Sequence, residues 1–362
     1  MKSPKEVLEE FLVLLPDVCF VAIDCEFTGI KDNKRNIKDL ASYLIAQKES
    51  SSEYAMLQIG FCLVLYDENK TEAPWSLYPY NLFTYPQFVS TTTIAGSPTL
   101  CQTYNIQEST FTSSSETLKW LYSNGFDFNR WISDGIPYRR LVDGSEAGEA
   151  SPKKAKNNNE SFGVQKLIDA IITHRKAIVV HNGLLDILHL YTSFIGALPN
   201  DPHLMVNELH RLFGFGVFDT KNIANYLFKD LNHTQLTSRT LGSLYTEFEK
   251  TFDFEKNLQL CNTACELKYT EEGSSKLVTT LYHEAGFDAT VTAMVFIAEL
   301  TALSSEEGNS IASILEAIDG NHEKCGEHVR KLINCINIHD KIDVPFFNLE
   351  NAFPVDEETK KP

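Results

Sequence analysis

Positive charge is scarce in this sequence. Its 32 Lys and Arg residues are outnumbered by 49 Asp and Glu residues, which gives a formal net charge of −17 over 362 residues. This balance argues against a protein that coats nucleic acid through a generally basic surface. It leaves room for a local groove of positive charge, because the attraction of a charged ligand depends on where the charges lie.

Cysteine is sparse as well. The chain has 8 cysteines in 362 residues, which are too dispersed for a disulfide framework. Cys261 and Cys265 have no companion pair at zinc-finger spacing and no flanking histidine cluster, which argues against a structural zinc site. We therefore expect free thiols and a reducing compartment.

No membrane or targeting segment stands out. The apolar stretch at residues 11–23 is interrupted by Pro16 and Asp17, so it lacks the about 18 uninterrupted apolar residues of a spanning helix. It also lacks the small-residue cleavage site of a secretory signal, and the residues after Pro354 are charged. We expect an intracellular protein without membrane attachment, in the nucleus, the cytoplasm or both.

What the sequence does contain is enough apolar material for a core, with helix and strand patterns in alternation. Hydrophobic residues make up 43% of the chain. A helix is predicted after Ser3, a buried strand at 18–23, a second strand at 56–66, and a long apolar helix from about 284 to 303. This alternation predicts an α/β fold with a mixed sheet.

One segment is composed like a loop. Residues 141–160 are rich in Gly, Ser, Pro, Lys and Asn, so we expect a flexible loop there. Its three lysines form a weak nuclear-localisation or phosphate-contact pattern, and a solvated basic loop is the favoured explanation because so short a run often matches by accident. The three are Lys153, Lys154 and Lys156.

Two carboxylates stand at the end of the first predicted strand. Asp24 and Glu26 are two residues apart, so they share one face of the strand. Two neighbouring anions in so apolar a run are unfavourable without a compensating cation, which a divalent metal ion would supply. The ordinary alternative is a pair of solvated residues at the rim of the sheet.

Three further candidates follow later in the chain. Asp186 falls in the first turn of a helix that follows a strand and a glycine turn, where an acid also simply favours the helix dipole. His283 and Asp288 open the long apolar helix. If that helix begins near Glu284, His283 lies on the preceding loop beside a site that Asp288 lines.

The order and flanks of these residues are similar to the motifs of the DEDD exonuclease superfamily, in the variant that uses a histidine. More narrowly, the chain resembles the poly(A)-specific ribonuclease family, which includes deadenylases and small-RNA 3′ trimmers. The similarity runs in family order along most of the chain. It is carried by residues 20–30, 57–60, 125–129, 135–138, 181–186, 218–221, 283–288 and 342–350.

The resemblance implies a fold, a metal site and a base. The expected fold is α/β, a ribonuclease-H-like mixed sheet flanked by helices, formed by one nuclease domain at 1–350 and followed by a charged tail at 351–362. Two Mg²⁺ ions, with Mn²⁺ as a substitute, would be held by carboxylates, which are hard oxygen ligands. The implied ligands are Asp24, Glu26, Asp186 and Asp288, and the implied general base is His283.

Substrate contacts are implied for four more residues, each with an alternative. Phe27 would stack on a base or pack in the core, and Lys221 would contact phosphate or lie on the surface. His181 and Asn182 would touch the substrate or orient Asp186. Asp219, which lies two residues before Lys221 in the sequence Asp-Thr-Lys, is interpreted as a structural residue.

The expected activity is that of a 3′→5′ exoribonuclease. It would trim small or non-coding RNA or poly(A) tails from single-stranded 3′ ends and release 5′-nucleoside monophosphates. An mRNA deadenylase proper, a catalytically silent RNA-binding scaffold and a DNA exonuclease are the alternatives. The sequence has only the loop at 141–160 where the family's deadenylase carries an inserted RNA-binding domain. We therefore expect modest RNA affinity and a partner that delivers RNA. The resemblance further implies a homodimer, because family members commonly dimerise.

Overall fold

A computed structural model describes most of the 362-residue chain. The described residues are 4–31, 37, 39–93, 102–106, 111–141, 163–233, 236, 238–265, 267–271, 276–319, 326–338 and 344–353, with the side chains of 87–93, 102–106 and 139–141 excepted. Of the predicted loop at 141–160, only Leu141 is described, as the last residue of a strand. The three lysines of that loop and residues 354–362 lie outside the described residues.

The described residues form ten strands and thirteen α-helices. The strands are β1 (Phe20–Phe27), β2 (Met56–Tyr66), β3 (Trp75–Thr93), β4 (Gln102–Ile106), β5 (Ile136–Leu141), β6 (Ala177–Val180), β7 (Val217–Asp219), β8 (Leu258–Leu260), β9 (Cys335–Asn337) and β10 (Phe346–Asn348). The helices are α1 (Pro4–Leu14), α2 (Leu40–Glu53), α3 (Ser115–Ser123), α4 (Phe128–Asp134), α5 (Gly163–Thr173), α6 (Leu184–Phe194), α7 (Pro202–Phe213), α8 (Thr220–Lys229), α9 (Leu241–Phe248), α10 (Phe254–Asn257), α11 (Ala285–Glu307), α12 (Ile311–Ile318) and α13 (Glu327–Leu332).

The strands form one mixed sheet, which confirms the predicted fold class. Its order is β10-β9-β7-β6-β1-β2-β3-β4, and β5 and β8 pair with β3. β1 runs parallel to β6 and antiparallel to β2. Helices cover both faces, so the central strand β1 is buried on both sides, as its apolar composition predicts.

Alternation along β1 separates two cores. Val21 and Ile23 pack into the core that includes α1, α5 and α6. Phe20 and Ala22 pack into the other core, which is built largely on α11. The strand is longer than the predicted 18–23 at its far end, because its ladder with β2 continues through Glu26.

Helix α11 is the central helix of the core that contains Phe20 and Ala22. It is the one helix of the described residues that is long and apolar enough to cross a membrane, and 89% of its most apolar 18-residue stretch is buried inside the protein. A helix that is apolar on all sides is typical of the interior of a large domain. Its burial against β1, β2 and α9 fits that role.

Candidate active site

The predicted pair on β1 points toward α11. Asp24 and Glu26 alternate with Cys25 and follow Ala22 on the same face of the strand, so they belong to the face that α11 covers. Across the ladder, Asp24 lies opposite Gly60 of β2, and Glu26 lies opposite Gln58. The two carboxylates therefore stand beside the part of β2 on which α11 begins.

The start of α11 lies directly on the sheet because two glycines leave room for it. A side-chain carbon on Gly60 would overlap the carbonyl of Ala285, and one on Gly286 would overlap the Tyr269 hydroxyl and approach the Cβ atom of Asn81 at 2.7 Å. Only glycine allows the backbones of helix and sheet to come this close.

Two amide side chains of the sheet also cap this helix end. The Ala285 amide N–H donates to Gln58 Oε1 at 2.9 Å, and the Gly286 N–H donates to Asn81 Oδ1 at 3.0 Å. These bonds satisfy two of the free N–H groups at the start of α11. Together with the glycine contacts, they fix the first turn of the helix, which carries Asp288.

His283 and Asp288 join the β1 pair at this point. The backbone N–H of His283, whose φ is +74°, donates to Asp288 Oδ2 at 2.8 Å. Candidate ligand atoms of Glu26, His283 and Asp288 all lie within 4.8 Å of one another. As predicted, α11 begins just after Glu284, so His283 lies on the preceding loop.

Asp186 comes to the same end of β1 from the opposite side. It lies in the first turn of α6, which follows the β6 strand next to β1, and only 9% of it is exposed. Burial raises the pKa of Asp186 to about 7. The charges of Asp186 and Asp288 both raise the pKa values of Asp24 and Glu26, so the four carboxyl groups are electrostatically close.

This donor set suits divalent cations. Burial and, next, the charges of the other three carboxylates raise the pKa of Asp24 well above its ordinary value. Burial likewise raises the pKa of Asp288 to about 7, and its Oδ1 atom is buried without a hydrogen-bond partner in the described part of the chain. Clustered carboxylates and a free ligand atom are what hard cations such as Mg²⁺ require.

His283 is held beside an exposed aromatic side chain. The ring centroid of Trp120 in α3 lies 4.4 Å from that of His283, edge to face, and 45% of Trp120 is exposed. Burial lowers the pKa of His283. The imidazole is therefore neutral near pH 7, the form that accepts a proton.

Three of the four predicted substrate contacts line one cavity next to this cluster. The cavity, of about 560 Å³, lies at the ends of β6 and β7. Its lining combines two cations, two amides, an imidazole and two uncharged residues at the start of α9. They are His181, Asn182, Lys221, Asn225, Arg239, Thr240 and Leu241.

Phe27 is not among these lining residues. Only 7% of it is exposed, and its ring stacks on the imidazole of His189, with 3.9 Å between centroids. The structure therefore shows the core-packing alternative for Phe27, whereas the prediction of base stacking requires an accessible ring face.

Asp219 links the backbone segments beneath the cavity by hydrogen bonds. Its carboxylate is fully buried and accepts hydrogen bonds from four backbone N–H groups. The donors belong to Asn182, Gly183, Lys221 and Asn337, at distances from 2.9 to 3.2 Å. This arrangement fits the structural role interpreted from the sequence.

Several residues that build the site carry no functional signal in the sequence. Gln58 lies inside 57–60, one of the stretches that carry the family resemblance, but the resemblance does not indicate what this residue does. Arg239, Asn225 and Asn337 lie outside them, and Trp120 falls just before one. Their contribution depends on contacts between elements distant in sequence, which no local pattern encodes.

A larger cavity lies elsewhere. It has a volume of about 1,420 Å³ and is bordered by α9, α10, β8 and the segment around Lys268. None of the predicted site residues lines it. Cavity size alone would therefore point away from the carboxylate cluster.

Comparison with known proteins places these observations in a family. The sequence matches the CAF1 family ribonuclease over residues 2–161 and 142–296. It is 23% identical to the pre-piRNA 3′-exonuclease trimmer of Bombyx mori, over 81% of this chain and 69% of the relative. It is 30% identical to the poly(A)-specific ribonuclease PARN of Danio rerio, over 37% of this chain and 19% of the relative.

One solved structure aligns with most of this chain at low sequence identity. The structure of S. pombe Pop2p in its Mg²⁺- and Mn²⁺-bound form aligns with a TM-score of 0.48 and 14% sequence identity. The alignment covers 83% of this chain and 89% of that one.

Proposed function

The chain belongs to the CAF1 ribonuclease family, and from this premise we propose that it is a divalent-metal-dependent 3′→5′ exoribonuclease acting on single-stranded RNA 3′ ends. The observation that carries the proposal is the meeting of four carboxylates and one histidine at the end of β1. The five residues come from three separate parts of the chain. They are Asp24, Glu26, Asp186, His283 and Asp288.

The carboxylates would hold two divalent cations, Mg²⁺ or in its place Mn²⁺. Bound there, the ions supply activation of the attacking water and stabilisation of the leaving 3′ oxygen. Asp24 and Glu26 present their oxygens from the rigid end of a central strand, and Asp288 presents its free Oδ1 from the pinned first turn of α11. The protein thus fixes the ligands before any substrate arrives.

His283 would take the proton from the attacking water. Its loop position next to Glu26 and Asp288 places the ring at the edge of the carboxylate cluster, and a general base of this kind contributes about 10²–10⁴ in rate. Trp120 supports the ring from the solvent side. The products would be 5′-nucleoside monophosphates and an RNA shortened from its 3′ end.

Small or non-coding RNA is the substrate class that we favour. The match to the trimmer extends over 81% of this chain, whereas the match to zebrafish PARN covers 37% of it. Deadenylation is the second candidate, because several relatives are poly(A)-specific ribonucleases. An RNA-delivering partner and a homodimer remain predictions.

The test is a nuclease assay with 5′-labelled single-stranded RNA, run with Mg²⁺ and with EDTA. We expect a ladder that shortens from the 3′ end only with Mg²⁺, and no shortening of RNA blocked by a 3′ phosphate. Oligo(A) and mixed-sequence RNA compared side by side separate deadenylation from trimming. A deoxyribose substrate tests the DNA alternative, because the 2′-hydroxyl distinguishes the two nucleic acids. Purified, folded protein that binds RNA but leaves it intact at any Mg²⁺ or Mn²⁺ concentration would make it a silent RNA-binding protein.

A further inference from the structure

The cavity at the ends of β6 and β7 presents positive and hydrogen-bond-donating groups in a chain of net charge −17. Lys221 and Arg239 are its two cations, and no Asp or Glu is among its lining residues. Only the backbone N–H of Lys221 is hydrogen-bonded, to Asp219, and its ammonium group has no hydrogen bond or ion pair with the described residues. A site of this composition attracts an anion, and paired cations with amide donors suit phosphate oxygens in particular.

The orientation of Asn182 adds a donor to this set. Its side-chain Oδ1 accepts a hydrogen bond from Asn337 Nδ2 at 2.8 Å, and its backbone N–H is bonded to Asp219. The Asn182 side chain is exposed. With the oxygen occupied, the group it offers to a ligand is its NH₂.

Arg239 is held rigidly beside it. Its Nε donates to Asn225 Oδ1 at 3.0 Å, and its Nη1 donates to the backbone carbonyls of Leu236 and Ser238. Its guanidinium carbon lies 4.4 Å from the centre of the Phe228 ring. The Nη2 group makes no hydrogen bond within the described residues, so a fixed donor remains for a ligand.

One buried amide side chain, that of Asn337, connects Asn182 with Arg239. Asn337 at the end of β9 is only 3% exposed, and its backbone N–H bonds to Asp219. Its Nδ2 donates to Asn182, and its Oδ1 accepts from Asn225 Nδ2 at 3.4 Å. Asn337 therefore sets the direction of Asn182 and, through Asn225, that of Arg239.

The cavity lies close to the carboxylates. β7 is separated from β1 only by β6, a distance of about 10 Å at the usual strand spacing. Thr240 lines both this cavity and a second one of about 550 Å³ that reaches Tyr282, the neighbour of His283. The two cavities therefore adjoin at Thr240.

We propose that this cavity binds a phosphodiester of the RNA upstream of the bond that is cleaved, with Arg239 as its second cation and Asn337 as a positioning residue. The inference rests on the proposed function. The scissile phosphate belongs at the carboxylates, so the anion in the cavity belongs to an earlier nucleotide. Its binding is independent of base identity because the donors address the backbone.

The test is the Arg239→Gln variant with Arg211→Gln as its matched control. Arg211 lies on α7, pairs with Glu208, and has a side chain that is 58% exposed, so its loss removes the same charge away from the cavity. Substrates are RNAs from two to six nucleotides long. Arg239→Gln is expected to raise KM for the hexanucleotide about tenfold, the usual worth of a charge-assisted hydrogen bond. The effect should vanish at the shortest length that is cleaved, because such an RNA has no upstream phosphodiester in the cavity.

Salt dependence gives a second readout. We consider a plot of log KM for the hexanucleotide against the logarithm of the salt concentration. Its slope should be about 0.7 shallower in Arg239→Gln, because one cation–phosphate contact on a single strand is lost. Arg211→Gln should leave both KM and slope as in the wild type. An Arg239→Gln enzyme that matches Arg211→Gln in both readouts would overturn the inference, as would an equal loss at every RNA length.

Asn337→Leu tests the positioning role. We expect a raised hexanucleotide KM, an unchanged kcat, and a double variant with Arg239→Gln whose loss is smaller than the product of the single losses. If the loss in the double variant equals the product of the single losses, or if kcat falls at all RNA lengths, Asn337 has a structural role only. If the wild type hydrolyses no RNA at all, the proposed function itself fails, which is a different result from any of these.

Discussion

At the scale of single residues, the site is defined by like charges held together. Four carboxylates face one another at the end of β1, and their raised pKa values have burial as the first cause. Such an arrangement is unfavourable for folding and is retained where a bound cation offsets it.

Replacing Asp288 by Asn should therefore separate stability from activity. We expect the variant to melt at a higher temperature than the wild type in EDTA, because one charge of the cluster is gone, and to lose RNA hydrolysis. Mg²⁺ should raise the melting temperature of the wild type by several degrees and that of the variant much less. Thermal unfolding with and without Mg²⁺ measures both effects.

The control for this charge change is Glu68→Gln, at an exposed turn far from the cluster. It should leave activity and the Mg²⁺ response unchanged. An Asp288→Asn protein that keeps near-normal turnover would remove Asp288 from the ligand set.

Another buried acid, Glu299 in the middle of α11, lies outside the carboxylate cluster. It is fully buried, both carboxylate oxygens lack hydrogen-bond partners among the described residues, and burial followed by the charge of Asp219 raises its pKa well above the ordinary value. A raised folded-state pKa means that the protein is most stable where the group is protonated in both states. Stability is then lost as pH rises from about 4.3, the ordinary glutamate pKa, toward the folded-state value.

Glu299→Met should accordingly stabilise the protein in a pH-dependent way. We expect a gain of about 1–3 kcal/mol in the free energy of unfolding at pH 8, the usual cost of a buried unpaired polar group, and a smaller gain at pH 5. Urea unfolding at both pH values measures this, with the exposed Glu316→Met as the control. A gain that is equal at the two pH values would show that the Glu299 charge is not the cause.

At the scale of elements, the decisive feature is the contact between the start of α11 and β2. Gly60, Gly286 and the capping amides of Gln58 and Asn81 place the first turn of a long core helix against the strand beside β1. The site is thus assembled by helix docking, and the side chains of Asp288 and His283 follow the position of that helix.

Gly60→Ala should disturb this docking selectively. The added methyl group overlaps the Ala285 carbonyl, so the helix start must shift and carry Asp288 away from Asp24. We expect kcat to fall at least 100-fold, because misplacement by about 1 Å has effects of that size. Val64→Ala, on the same strand and fully buried, is the control: it costs about 2 kcal/mol of stability and should leave kcat nearly unchanged. Equal losses of kcat in the two variants would mean that the docking contact has no special role.

At the scale of the whole molecule, the sequence predicted the architecture better than it predicted the interactions. The α/β class and the family are confirmed, and β2 has the predicted bounds, because alternation and motif order are local signals. β1 was predicted too short, since the ladder that extends it depends on β2. Arg239 and Asn337 escaped prediction because their roles exist only once α8, β9 and the segment before α9 meet.

Net charge sets a further expectation for the whole chain. If Lys221 and Arg239 are the main cations that meet phosphate, the log–log slope of RNA binding against salt should be about −1.4, two contacts on a single strand. Fluorescence anisotropy over a salt series measures it. A much steeper slope would show that other basic residues take part, and replacing Lys153, Lys154 and Lys156 together by Gln would then show whether they are the source.

The docking of α11 on β2 also bears on when the chain can become active. Asp24 and Glu26 are synthesised well before His283, Asp288 and helix α11. A nascent chain that has not reached α11 holds only Asp24, Glu26 and Asp186 of the candidate ligands and lacks the candidate base, His283. The carboxylate cluster is therefore complete only once α11 has been synthesised and has docked on β2.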